Sequence, residues 1–191
     1  MAVVEVEIRG QLTGEARAKL LEFLKKEGEY VESHTREMIM LLDVEGYSED
    51  PTIRAVDVRL RNTDGKCEIM VKRKVSDNNV GRSEVSLQLA DTTLDNAKEI
   101  VKALGSMHGL WMHRKKDIYT YHDIEWSVVE APKEIYYYEA EHALEEGEDI
   151  EKHRLELVAE AEALGLSIFT PEEYHEFTNM LGREVNKKIT W

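Results

Sequence analysis

Charged side chains recur at every second position in several separate segments of this 191-residue chain. Glu5, Glu7 and Arg9 form one such set near its start, and Glu139 and Glu141 form another far along the chain. Carboxylates are the hard oxygen ligands that Mg²⁺ and Mn²⁺ prefer. Arginine and lysine side chains suit phosphate oxygens. These residue types therefore predict metal-assisted phosphoryl chemistry if the fold brings them together.

The spacing of two indicates β-strands. Successive side chains of a strand point to opposite faces, and the apolar residues Val4, Val6 and Ile8 alternate with the first charged set. Alternation also predicts strands whose polar faces carry Arg59, Arg61, Lys72, Lys74, Arg82, Glu84, Arg114 and Lys116. On a single strand such a face is usually the solvent side of a half-buried sheet. Because the pattern recurs on six strands, we interpret the charged faces as the lining of a lumen.

A lumen of this composition cannot be a dry core. Two unit charges 4 Å apart interact by about 4 kcal/mol at an effective dielectric constant of 20. Clustered cations therefore need solvent, neighbouring carboxylates or a polyanion. A phosphate group close to the carboxylates would in turn need a bridging divalent cation. The pattern predicts a basic groove for phosphate with Mg²⁺ or Mn²⁺ at its carboxylates.

Helix signals flank the predicted strands. Thr13 and Gly28 bracket a first helix, Thr92 or Thr93 and Gly105 bracket a second, and Thr170-Pro171 introduces the last. Strands are predicted at 3–9, 36–44, 53–61, 67–74, 82–89, 110–116, 118–129 and 135–141, and the last two helices at about 149–164 and 172–187. A hairpin is predicted at 62–65 and a turn at 76–79. The order of elements predicts one α+β domain over residues 1–191, with a closed or nearly closed, mainly antiparallel sheet and helices outside it.

Composition narrows the class of protein. The formal net charge of −14 argues against nonspecific binding of nucleic acid or of a membrane. The single cysteine, Cys67, and the absence of an apolar leader favour a cytoplasmic location. The histidines show no metal-ligand spacing, and surface or core-edge positions are expected for all seven (His34, His108, His113, His122, His142, His153 and His175).

Taken in order, the charged motifs resemble those of the CYTH family, the triphosphate tunnel metalloenzymes. The opening E-x-E-x-K signature is similar to Glu5, Glu7 and Arg9, with arginine in the lysine position. The other matches are Arg59-Leu60-Arg61, the lysine strand at 71–74, Arg82 with Glu84, Arg114 with Lys116 and Tyr119, Glu139-Ala140-Glu141, and the late Pro171 to Tyr174. The resemblance covers nearly the whole chain. Ser86 stands where the family has a second glutamate after Arg82.

The resemblance implies an antiparallel eight-stranded tunnel that binds a small triphosphate. It implies metal ligands among Glu5, Glu7, Glu84, Glu139 and Glu141, and a catalytic set of Glu5, Glu7 and Arg9. It implies phosphate binding by Arg59, Arg61, Lys72, Lys74, Arg82, Arg114 and Lys116. Hydrolysis of inorganic tripolyphosphate or of a nucleoside or thiamine triphosphate is the first expectation. The alternatives are a class IV adenylate cyclase and a noncatalytic phosphate-binding module. A homodimer is a reasonable expectation for a barrel of this kind.

Overall fold

The computed structural model describes residues 3–75, 81–145 and 147–191, so the turn predicted at 76–79 lies outside the described residues. The strands in these ranges are β1 (Val3–Leu12), β2 (Glu29–Leu41), β3 (Val56–Thr63), β4 (Lys66–Lys74), β5 (Gly81–Leu89), β6 (His108–Tyr121), β7 (Ile124–Ala131), β8 (Ile135–Leu144) and β9 (Lys187–Thr190). The helices are α1 (Gly14–Glu27), α2 (Leu94–Ala103), α3 (Ile150–Ala163) and α4 (Pro171–Glu184). No helix in these ranges has the length and apolar character needed to cross a membrane.

Eight strands form a ring. They pair antiparallel in the order β2-β3-β4-β5-β1-β8-β7-β6, and β6 pairs back onto β2 from Glu29 to Leu41. The short strand β9 adds to β6 beside this ring, opposite residues 108–111. The predicted α+β fold, an antiparallel eight-stranded and nearly closed tunnel with accompanying helices, is confirmed.

The apolar faces of the strands point outward and are covered by helices. Val6 of β1 is fully buried together with Leu24 of α1 and Leu157 of α3. On the other side of the ring, α2 packs Leu94 and Val101 over β2 and β3. Full burial of one large apolar side chain contributes about 1.5–3 kcal/mol. This packing determines which face of each strand points outward. The opposite, charged faces therefore point into the ring.

Helix α4 is placed differently from the other three. Thr170 begins it with a capping box completed by Glu173, and Pro171 stands at its first turn. Phe177 and Leu181 pack against Val129, Ala131 and Tyr137, on the same faces of β7 and β8 that carry charged lumen residues. Helix α4 therefore forms part of the wall of the lumen, whereas α1, α2 and α3 cover the outside.

Several predicted boundaries were wrong. Strand β2 begins at Glu29 instead of residue 36, and β6 continues through Asp117 to Tyr121. The chain turns at His122 and Asp123, which have φ angles of 52° and 61°. Histidine and aspartate adopt this left-handed conformation more readily than most residues, so the turn needs no glycine. The last helix ends at Glu184, because the chain after it pairs with β6 as β9.

Two tight turns fix the strand register around the lumen. Asp64 and Gly65, with φ angles of 47° and 90°, join β3 to β4 as the sequence predicts. The turn between β7 and β8 contains Lys133 and Glu134, with φ angles of 65° and 57°. Its register places Glu125 directly opposite Glu141.

Candidate functional site

The ring encloses a cavity of about 600 Å³. Eleven of the thirteen predicted site residues line it: Glu5, Glu7, Arg9, Arg59, Arg61, Lys72, Glu84, Arg114, Lys116, Glu139 and Glu141. The cavity is within the range of organic ligand sites, which is roughly 300–1,000 Å³. Alternating residues from strands that are distant in sequence therefore meet in one place.

Lys74 and Arg82 do not line this cavity. Both side chains are half-buried at the end of the β4–β5 pair, where they lie opposite one another in the register. Arg82 donates a hydrogen bond to the carbonyl of Pro51 at 3.4 Å. A phosphate-binding role for these two residues stays a prediction.

The lining is more basic than the protein as a whole. Among the described residues, the cavity wall holds ten Arg or Lys side chains and eight Glu side chains. The whole chain has a formal charge of −14. The tunnel therefore concentrates positive charge inside an acidic protein, and this arrangement favours an anionic ligand over a cationic one.

Glu139 is the centre of one ion-pair network. Its carboxylate accepts hydrogen bonds from Arg9 Nε at 3.1 Å and from Lys116 Nζ. Arg9 also donates to Glu7 at 2.6 Å and to the Tyr174 hydroxyl of α4 at 2.7 Å. Burial alone would raise the pKa of the Glu139 carboxyl, but Lys116 and Arg9 overcome this and hold it well below its usual range. Glu139 is therefore an ionised, fully paired group.

A second network links β1, β4, β5 and β3. Lys72 Nζ lies 2.5 Å from Glu5 and 3.0 Å from Glu84, and Glu84 also accepts from Arg61 at 3.1 Å. Burial opposes charge on both partners. Even so, Lys72 and Arg61 lower the pKa of Glu84, and the nearby carboxylates raise the pKa of Lys72. These predicted ligands thus hold one another in place through compact ion pairs.

Glu125 and Glu141 differ from the other lumen acids. Within the described residues neither has a cationic partner within 4 Å, although the two residues face each other across β7 and β8. Burial raises the pKa of Glu141 to about 8, and repulsion from Glu7, Glu5 and Glu139 adds to the effect. Burial likewise raises the pKa of Glu125. The two carboxylates supply oxygen ligands, and a divalent cation would relieve the repulsion between the neighbouring acids. The residues present therefore fit Mg²⁺ or Mn²⁺.

Two arginines of the lumen lack carboxylate partners among the described residues, just as Glu125 and Glu141 lack cationic ones. Arg36 of β2 and Arg114 of β6 are directly opposite in the strand register, and neither has a carboxylate within 4 Å in the described ranges. Arg114 is buried and donates to Tyr137, to the carbonyl of His113 and to Asn186. Burial, with repulsion from Arg61, lowers the pKa of Arg36. The pair therefore offers an anion two guanidinium groups, one half-buried and one buried, that have no carboxylate partner among the described residues.

Asp57 holds the cavity residue Arg59 in place, although Asp57 itself is not part of the cavity lining. It is 1% exposed, and its two carboxylate oxygens accept from Arg59 Nε at 2.9 Å and Nη2 at 2.5 Å. Arg54 lies 3.6 Å from the same carboxylate. This bidentate pairing fixes the Arg59 guanidinium at the cavity wall. Burial opposes ionisation of Asp57, but the two arginines lower its pKa to about 2.

One part of the cavity is apolar. Met38 and Met40 of β2 and Leu110 and Met112 of β6 form a buried cluster that lines it, and Tyr47 packs on that cluster. Methionine is flexible and polarisable, and it contacts aromatic rings favourably. The tunnel therefore offers an apolar surface next to its charged groups, and a purely inorganic ligand would leave that surface unused.

Sequence reasoning identified most of the charged lining but missed Arg36 as a site residue, the role of Asp57, the apolar wall and the Glu125–Glu141 pairing. Alternation could have found Arg36, because it shares a face with Met38 and Met40. Finding the Glu125–Glu141 pair required the β7–β8 register, which no local pattern in the sequence reveals.

Comparison with known proteins identifies the fold. No protein-family model matches the chain, and no curated protein matches it. Solved structures do match over nearly all of its length. A conserved hypothetical protein from Pyrococcus furiosus is 21% identical, with a TM-score of 0.70 over 90% of this chain and 98% of its own.

Two further matches carry functional descriptions. A Vibrio parahaemolyticus protein proposed to be an adenylate cyclase is 17% identical, with a TM-score of 0.65 over 87% of this chain and 91% of its own. A proposed adenylyl cyclase from Hippeastrum, described as having a dominant triphosphatase activity, is 13% identical, with a TM-score of 0.54 over 87% of this chain and 89% of its own. Together with the eight-stranded ring and its charged lumen, these matches show that the chain has the triphosphate tunnel fold.

Proposed function

We propose that this chain binds a small organic triphosphate in its tunnel and hydrolyses it with Mg²⁺ or Mn²⁺. The observation that carries the proposal is that unpaired positive and negative side chains lie at different heights along the tunnel. Among the residues that the structure describes, Arg36 and Arg114 have no carboxylate partner. Glu125 and Glu141, farther along the tunnel, have no cationic partner in the same ranges. Arg114 and Thr120, the partner of Glu125, are six residues apart on β6, which is about 20 Å of strand. An elongated polyanion with a divalent cation at one end complements this arrangement.

The phosphate groups would be bound by the basic wall. Arg36 and Arg114 would contact phosphate oxygens directly, and Arg59, Arg61, Lys72 and Lys116 would complete the wall. Fixed cations of this kind stabilise the charge that develops on the leaving phosphate oxygens. Arg9 is held by Glu7, Glu139 and Tyr174. An arginine does not release its proton in proteins, so Arg9 would hold charge and would not transfer a proton.

The metal would be held by lumen carboxylates. Glu141 and Glu125 are the most available, because Glu139, Glu5 and Glu84 are engaged by cations in the structure. Glu5, Glu7, Glu84 and Glu139 could join the ligand set when a bound phosphate draws their lysine and arginine partners away. When bound, Mg²⁺ or Mn²⁺ supplies charge neutralisation and polarises a phosphoryl oxygen.

The apolar wall favours an organic triphosphate over inorganic tripolyphosphate. An aromatic ring attached to the phosphate chain could pack against Met38, Met40 and Met112, where an inorganic anion gains nothing. The same wall is the observation that keeps an adenylate cyclase as the second candidate, because that reaction also needs a bound nucleoside. A noncatalytic phosphate-binding module is the third.

A phosphate-release assay separates these functions. The chain is incubated with ATP, thiamine triphosphate or tripolyphosphate, with Mg²⁺ or Mn²⁺, and the products are resolved by chromatography. Orthophosphate release with a higher kcat/KM for an organic triphosphate supports the proposal. Cyclic AMP with pyrophosphate supports the cyclase, and binding without turnover supports the noncatalytic module.

The variant Arg36→Gln tests the unpaired arginines, and Arg73→Gln is its matched control because Arg73 is exposed on β4. Loss of one charge-assisted phosphate contact, worth about 1.5–3 kcal/mol, predicts roughly a 10- to 150-fold fall in kcat/KM for Arg36→Gln. An equal effect of both variants would contradict the assignment.

A further inference from the structure

A second group of ligand-type side chains lies outside the tunnel, between β8 and α3. His142 follows Glu141 on β8 and therefore faces away from the lumen. His153 and Glu156 are three residues apart on α3 and share one helix face. The two imidazole rings are 5.2 Å apart between centroids, with an interplanar angle of 70°. One ligand atom from each of the three residues lies within 4.8 Å of the others.

The described residues do not satisfy the full hydrogen-bonding capacity of the His153 ring. Its Nδ1 is shielded from solvent and makes no hydrogen bond to the described residues, although Glu156 Oε2 lies 3.1 Å away. Its Nε2 lies 3.5 Å from Glu148 Oε1. The His153 side chain is 18% exposed, and Glu156 is 47% exposed. The ring thus sits in a partly enclosed place with carboxylate oxygens beside both nitrogens, and solvent can reach the cluster past Glu156.

We propose that His142, His153 and Glu156 bind a transition-metal dication of the Zn²⁺ type. Two imidazoles and one carboxylate are an established three-ligand set for zinc, with a fourth position left for water or another side chain. Water would take that fourth position, because Glu148 lies beside Nε2 of His153, whereas Glu156 lies beside Nδ1 on the other side of the ring. Imidazole ligands favour Zn²⁺ and its neighbours, whereas the oxygen-only donors of the tunnel favour Mg²⁺ or Mn²⁺. The two sites therefore differ in the metal they take.

Such an ion would connect a helix to the strand that carries Glu139 and Glu141. Because a metal that binds the folded chain stabilises it, the site would fasten α3 to β8. Since its ligands face away from the lumen, this role does not depend on the reaction proposed for the tunnel.

The test uses the full chain after treatment with a chelator. Zn²⁺ binding is measured by calorimetry, and Co²⁺ is used as a spectroscopic substitute whose visible absorption reports tetrahedral nitrogen and oxygen ligation. We expect one tightly bound Zn²⁺ per chain and a rise in the melting temperature on its addition. The affinity should fall at least tenfold in His142→Gln, in His153→Gln and in Glu156→Gln.

Two matched variants locate the ion. His122→Asn removes an imidazole that also pairs with a carboxylate of α3, Glu160 at 3.0 Å, but that belongs to no such three-ligand group among the described residues. Zn²⁺ binding should be unchanged in this variant and in Glu141→Gln, which alters the tunnel. Glu156→Gln keeps the test valid if a histidine variant does not fold, because Glu156 is largely exposed.

Two outcomes would overturn the assignment. One is a wild-type chain that binds no Zn²⁺. The other is binding that is lost in Glu141→Gln but retained in the three cluster variants, which would place the ion in the tunnel. Either result would leave His153 as an ion-pair partner of Glu148 and Glu156 alone. Neither result bears on triphosphate hydrolysis, because no activity is measured.

Discussion

Replacing Glu141 by glutamine should stabilise the metal-free protein at alkaline pH. The pKa of this carboxyl rises from 4.5 to about 8 on folding, chiefly through burial and then through repulsion from neighbouring glutamates. Between these pH values the folded chain keeps a proton that the unfolded chain has lost. The stability of the wild type therefore falls as pH rises through this window and levels off above it. The whole change corresponds to about 5 kcal/mol at 1.36 kcal/mol per pH unit.

Glutamine has nearly the same shape and does not titrate. Glu141→Gln should therefore match the wild type near pH 4.5 and exceed its free energy of unfolding by up to about 5 kcal/mol at pH 8. Urea denaturation at several pH values, with a chelator present, measures the difference through the fluorescence of buried Trp126. Adding Mn²⁺ should stabilise the wild type more than the variant, because the variant lacks one carboxylate ligand.

Glu139→Gln provides a control of opposite sign. Lys116 and Arg9 hold the pKa of Glu139 below its usual range despite burial. Its contribution to stability is present above pH 4.5 and is lost only as pH falls through the lowered pKa, so this variant should be less stable at pH 8. If Glu141→Gln were no more stable than the wild type at pH 8, the assignment of Glu141 as an unpaired, half-buried carboxylate would be refuted.

Two further predictions concern the framework of the tunnel. Gly10→Ala would place a Cβ 1.8 Å from the carbonyl oxygen of Ser167 and 2.6 Å from the Tyr138 ring. We therefore expect thermal denaturation to show a loss of about 1–3 kcal/mol or more in the free energy of unfolding. A loss below about 1 kcal/mol would show that the backbone moves aside easily. Asp57→Asn leaves the Arg59 guanidinium without its buried carboxylate, and we expect urea denaturation to show a loss of about 3–5 kcal/mol. A fully stable Asp57→Asn variant would mean that Arg59 is held by other groups.

The lumen could be predicted from the sequence because alternation specifies both faces of a strand at once. In β1, Val6 and Ile8 pack under α1 and α3, and the charged residues between them must then face inward. The same reasoning placed Arg59, Arg61, Lys72 and Glu84 correctly at the cavity wall. The expected cytoplasmic location and possible homodimer stay predictions.

Other parts of the site depend on information that is not local. The first half of β2 is mostly polar and exposed, so it shows no apolar face that would identify it as a strand. The end of β6 was misplaced because His122 and Asp123 make a left-handed turn without glycine. Lys74 and Arg82 have the expected spacing, but they lie at the end of their strand pair beyond the cavity wall.

The number of residues in the turn at Lys133 and Glu134 determines whether Glu125 and Glu141 lie opposite each other. A slip of one residue at this turn would move Glu125 to the outer face and leave Glu141 without its opposing acid. Insertions here should therefore be tolerated far less well than substitutions. Each residue in the left-handed conformation costs about 1–2 kcal/mol. The double substitution Lys133→Asn with Glu134→Gly should therefore raise the free energy of unfolding and leave the lumen carboxylates unchanged.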